Sequence, residues 1–122
     1  MSEVIKLTDR LWVRRSEHLE NYYFYCPGCK ELHGFRTKAP PGDGGTKIPL
    51  WTFDGNVEQP TFTPSLRYLR HKGDYPGCGP HCHTIVTAGK IQFCGDCEHE
   101  LAGKTIDLLS IADHIPEDYM IA

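Results

Sequence analysis

Cysteine and histidine spacing restricts this chain more than any other feature. Six of its 122 residues are cysteines and seven are histidines. Four of the cysteines form two CxxC pairs, Cys26-Pro27-Gly28-Cys29 and Cys94-Gly95-Asp96-Cys97. Each pair puts two sulfurs on one tight turn, where both can reach a tetrahedral ion at about 2.3 Å. The Pro-Gly centre of the first pair favours that turn. Cys78, His81, Cys82 and His83 lie close together, and His33 and His99 follow the two turns at short range. These donors exceed the four that one zinc ion takes. Three arrangements stay open: one closed site with bystanders, two sites, or one site whose histidines orient ligands or act in catalysis.

Metal binding is preferred over disulfides because the chain reads as cytosolic. Its N-terminus, MSEVIKLTDRLWVRR, holds no apolar run of signal-peptide length. No segment approaches the roughly 20 apolar residues of a membrane span. A soluble, cytoplasmic protein is expected, in a compartment that keeps thiols reduced. A thioredoxin-like redox reading of CxxC requires a βαβ setting that the sequence does not offer. His18, His71 and His114 neighbour no cysteine and read as surface residues.

Length supports one domain over residues 1–122. Twelve glycines and nine prolines imply many turns and a limited core, the situation in which a metal adds stability. The net charge of −3 supplies no field to attract nucleic acid, and Arg67, Arg70, His71 and Lys72 read as a solvated stretch.

Aromatic and β-branched content predicts strands over Ile5–Arg14, Tyr22–Cys26 and Ile48–Phe53, the last closed by a turn at Asp54-Gly55-Asn56. Residues 38–47 read as a loop. Pro60 and Pro64 predict a rigid edge or loop over Gln59–Ser65. His83–Thr87 and Lys90–Cys94 flank Ala88-Gly89 and form the clearest hairpin. Leu108–His114 is compatible with a short helix. The fold class is therefore mainly β, with room for a small α+β arrangement, its short antiparallel strands and loops stapled by zinc.

Asp96, Glu98 and Glu100 surround Cys97 and His99. They read as a solvated acidic turn, or as carboxylates that orient an imidazole or act as a base beside a metal-bound water. His99-Glu100 fits neither the zinc deaminase signature nor HExxH, which disfavours both chemistries.

The series CPGCKELHGF, WTFDGN, PTFTPS, CHTIVTAGKIQF and DCEHELAGKT resembles a family of small phage and prophage zinc-binding proteins of unknown function. Relatives in that family often carry the label ammonia monooxygenase, which nothing in these residues supports. The resemblance runs from about Tyr23 to Thr105. It covers Cys26, Cys29, His33, Trp51, Pro60, Phe62, Pro64, Ser65, Cys82, His83, Asp96, Cys97, His99 and Gly103. Cys94 and Cys78 depart from the pattern and read as buried free thiols. The order CxxC, Trp-x-Phe-x-Gly, Pro-Ser, Cys-His is also similar to bacterial proteins found beside ubiquitin-like conjugation genes.

The resemblance implies a site built from Cys26 and Cys29, with two further ligands from Cys82, His83, Cys97 and His99. The first functional expectation is a protein-interaction module with structural zinc. Its surface would be Trp51, Phe53, Phe62 and the proline-rich segment, the alternative being that those aromatics are core; its partner would be a host or phage protein and its location the host cytoplasm, with no part for membrane or nucleic acid. The alternative is a zinc hydrolase using Asp96 or Glu98 with His33, His83 or His99. Catalytic residues are otherwise unassigned.

Overall fold

The computed structural model describes residues 3–38, 50–68, 82–97 and 99–115. Within them the chain is all-β, as two antiparallel sheets. The first sheet is a meander of β1 (Glu3–Thr8), β2 (Leu11–Arg15), β3 (Glu20–Cys26) and β4 (Glu31–Lys38). The second is a meander of β5 (Thr52–Phe53), β6 (Phe62–Tyr68), β7 (Cys82–Thr87), β8 (Lys90–Phe93) and β9 (Thr105–Asp107). No described helix is long and apolar enough to cross a membrane.

Period-two alternation explains which side chains meet. Leu11 and Val13 of β2, Tyr22, Phe24 and Cys26 of β3 and Phe35 of β4 share one core with Phe62, Leu66, Cys82, Val86, Ile91 and Phe93 from the second sheet. The join is aromatic: Phe62 stacks on Phe35 with ring centroids 4.3 Å apart and on Phe53 at 4.8 Å. Tyr22 closes over Phe53 at 4.6 Å. Phe62 is thus a core residue. The opposite face of the first sheet is covered too, since Trp12 and Tyr25 pack with Ile111 and Ile115 from the tail.

Several local expectations change. Ile5–Arg14 is not one strand but parts of β1 and β2, joined at Asp9-Arg10. Thr8 Oγ1 accepts the Arg10 and Leu11 N–H groups, each at 3.1 Å, and closes that turn without Gly or Pro. The expected tail helix is only a single turn, with Ile115 N–H donating to Ile111 O at 2.8 Å and both isoleucines packed with Trp12. Among described residues 50–53 only Thr52–Phe53 is strand, and residues 39–49, with most of the expected loop and the start of that strand, lie outside the described set. The β7–β8 hairpin holds as expected. Ala88 and Gly89 have φ of 49° and 78°, the two positive values that a type I′ turn requires.

The segment read as an edge or loop is instead central, because β6 lies between β5 and β7. Phe62 pairs with Val86 and Leu66 with Thr84, which leaves Thr63, Pro64 and Ser65 opposite Ile85 alone. This bulge accommodates Pro64, which has no N–H for a ladder, and re-aims Ser65.

Candidate functional site

The CPGC turn between β3 and β4 and the start of β7 bring sulfur together at one end of the shared core. Cys26 and Cys82 are buried, and their sulfurs lie 3.8 Å apart. Two thiolates on a tetrahedral ion with bonds of about 2.3 Å are separated by about 3.8 Å, so this pair is already at the spacing an ion imposes. Cys26, Cys29, His33 and Cys82 each place one donor atom within 4.8 Å of the others. His33 points inward from β4, fully buried, edge-on to Phe24. His33 hydrogen-bonds to Cys26 within this buried cluster, which sets one imidazole among three thiols, and Cys₃His is a common zinc set.

The electrostatics of this cluster point the same way. Hydrogen bonds from Cys29 and then Cys82 hold the Cys26 thiol far below its ordinary range, while the contacts with Cys26 and Cys29, together with burial, push Cys82 up. Three adjacent sulfurs cannot all ionise here without a cation between them. The described cysteines form no disulfide.

Cys82, Cys97 and His99 form a second group that shares the Cys82 sulfur. His99 Nε2 is 3.4 Å from Cys82 Sγ, and its Nδ1 accepts the Leu101 N–H at 3.2 Å. An Nδ1 that accepts leaves the ring proton on Nε2, directed at Cys82, so His99 stands as an outer partner of the cluster. Cys97 grips the backbone of His83: its sulfur accepts the His83 N–H at 3.2 Å and donates to the His83 carbonyl at 3.1 Å.

Alternation along β7 sends His83 to the opposite face from Cys82. There His83 Nε2 lies 2.8 Å from Ser65 Oγ, while Nδ1 lies 3.2 and 3.3 Å from the two carboxylate oxygens of Asp96. A carboxylate on Nδ1 fixes the ring proton there, so Nε2 carries the lone pair that accepts the Ser65 hydroxyl. This is the hydrogen-bond chain of a Ser-His-Asp triad, which is recognised by geometry and not by order along the chain. The His83 and Asp96 side chains are 25 % and 50 % exposed, so the chain opens to solvent. Cys94 lies beside it, sharing a third group of potential donors with His83 and Asp96. Burial and the charge of Asp96 raise the Cys94 thiol, which makes it a poor nucleophile.

Cluster and triad are interleaved along the chain. Cys82 precedes His83, and Asp96 precedes Cys97. Each adjacent pair gives one residue to the sulfur-rich end and one to the triad, so a cation that fixes Cys82 also fixes the backbone carrying His83.

Of the six expected metal residues, Cys26, Cys29 and Cys82 lie in the first group, Cys97 and His99 in the second group that shares Cys82, and His83 faces Ser65 and Asp96. His33, outside that set, completes the four-donor group. Asp96 sits on His83, and Glu98, Cys78 and His81 lie outside the described residues. Ser65 has no chemical signature of its own in the sequence. Its signal was its place in the PTFTPS motif beside a histidine and an aspartate of the same pattern.

No curated protein and no solved structure gives a significant match to the chain. A family model described as "bacterial ubiquitination-like system serine protease (BubE)" matches residues 1–94 of the 122. Ser65 and His83 fall inside the matched span and Asp96 just beyond it, and the match accords with the expected similarity to bacterial ubiquitin-like conjugation neighbours. The chain belongs to the bacterial ubiquitination-like system serine protease (BubE) family.

Proposed function

We propose that the protein is a serine hydrolase of a bacterial ubiquitination-like system, cleaving an acyl bond with Ser65 as nucleophile, His83 as general base and Asp96 as the group that orients His83. The observation that carries this reading is the continuous Ser65–His83–Asp96 hydrogen-bond chain, at 2.8 and 3.2 Å. As Ser65 Oγ attacks a carbonyl carbon, His83 Nε2 takes its proton, and Asp96 stabilises the resulting imidazolium. His83 then gives that proton to the leaving amine, and an acyl-Ser65 intermediate remains. Water, deprotonated by the same Nε2, releases the acid. The family description supports a peptide or isopeptide bond in a ubiquitin-like protein as the substrate class.

Cys26, Cys29, Cys82 and His33 would hold one zinc ion, whose contribution is to cross-link β3, β4 and β7. Structural zinc in small domains supplies apparent folding free energy of about 10 kcal/mol or more. The earlier alternative, a metal-activated water with Asp96 as base, is less well supported because Asp96 is engaged by His83.

The test is reaction with a fluorophosphonate followed by intact mass and peptide mapping. One adduct per chain, on Ser65, absent from Ser65→Ala and His83→Ala, is expected. An adduct elsewhere, or none on folded zinc-loaded protein, would refute the reading.

A further inference from the structure

The triad has an unusual neighbour. Ligand atoms of His83, Cys94 and Asp96 all lie within 4.8 Å of one another. Cys94 is held there by its own backbone, since its N–H donates to the His83 carbonyl at 2.9 Å. Asp96 presents both carboxylate oxygens to Nδ1, at 3.2 and 3.3 Å. Nitrogen, sulfur and oxygen together suit zinc better than magnesium or calcium, which favour all-oxygen sites. Cys94 is only half-buried and Asp96 is half exposed, so an ion can enter from solvent.

We infer that His83, Cys94 and Asp96 form a second, weaker zinc site whose occupancy switches the triad off. The inference rests on the hydrolase reading for its consequence, although the site itself does not. Zinc binding at Nδ1 requires the lone pair of that nitrogen, so the proton shared with Asp96 moves to Nε2. Cys94 loses its thiol proton to solvent as the sulfur–metal bond forms. With Nε2 protonated, His83 can no longer accept the Ser65 proton, and the carboxylate that steadied the imidazolium is committed to the ion. Three protein donors leave a fourth position for water, which fits a reversible site better than a closed structural one.

The experiment uses full-length protein already carrying one tightly held zinc per chain. Free zinc is raised by equilibrium dialysis, bound zinc per chain is measured, and fluorophosphonate labelling of Ser65 is followed on the same samples. Wild type is expected to take up a second zinc and to label at least tenfold more slowly, with recovery on mild chelation. Cys94→Ser is expected to stay at one zinc and to keep the labelling rate it shows at one zinc. Uptake of no second zinc at millimolar concentration, or equal slowing in both proteins, would overturn the inference. If wild type never labels, the hydrolase reading fails on its own, while a second zinc that depends on Cys94 still supports the site and its absence still refutes it.

Discussion

Gly28 sits under the His99 ring, and an added methyl group there gives a test with a calculable size. A Cβ built on Gly28 would lie 2.4 Å from both Cε1 and Nε2 of His99 and 2.6 Å from Cδ2, whereas ordinary contact begins at 3.4 Å. The ring would have to retreat by about 1.0 Å, the difference between those two distances. It has little freedom to do so, because Phe93 meets it edge-on with centroids 5.0 Å apart and the Leu101 N–H holds Nδ1 at 3.2 Å. A displacement of that size disturbs the contact of Nε2 with Cys82 Sγ, now 3.4 Å. Loss of an outer partner typically weakens metal affinity 10- to 100-fold, or about 1.4–2.7 kcal/mol. Gly28→Ala should therefore lose zinc to a competing chromophoric chelator at 10- to 100-fold lower chelator strength than wild type. Gly95→Ala is the control, since nothing lies within 4 Å of a Cβ at that position, and it should bind within about twofold of wild type. Equal affinity for Gly28→Ala and wild type, or an equal loss in Gly95→Ala, would refute the placement of His99 over the turn.

Three other outcomes are expected. Phe62→Ala removes a ring stacked on Phe35 and Phe53 and should cost about 3–5 kcal/mol in urea denaturation; a loss under 1 kcal/mol would contradict its place at the join of the sheets. Asp96→Asn should slow Ser65 labelling roughly 10³-fold or more while one zinc per chain is retained, because it upsets the His83 tautomer without touching the sulfur cluster. His33→Ala should purify without tightly bound zinc, whereas His99→Ala should keep zinc with reduced affinity; the reverse pattern, read by elemental analysis, would exchange their roles.

Where the sequence was legible, local chemistry and tertiary structure agreed. The β7–β8 hairpin was readable because Ala88-Gly89 supplies the required backbone conformation between two alternating strands. β3 was readable from its run of aromatics. β4 was not, because its inward positions are His33 and Phe35 and its sequence, ELHGFRTK, looks polar until His33 is seen to face the sulfur cluster. β6 was misplaced because prolines argue against a central strand, and only the bulge at Thr63–Ser65 reconciles them. The sulfur-rich end was legible from CxxC spacing, since each pair carries its geometry locally. The triad was not, as Ser65 lies 18 residues from His83 and Asp96 lies 13 beyond it. Only the pairing of β6 with β7 and the turn after β8 bring them together. His83 also adjoins a ligand-type cysteine, and spacing alone does not tell which face of β7 it occupies.

The most direct measurement is the rate of Ser65 phosphonylation in a single preparation with its zinc intact, after chelation, and after return of one equivalent. Labelling is expected with one zinc per chain, lost when it is withdrawn and restored by one equivalent. A zinc-loaded protein that does not label, or a stripped protein that labels at the original rate, would contradict a serine triad held in place by the sulfur-bound ion.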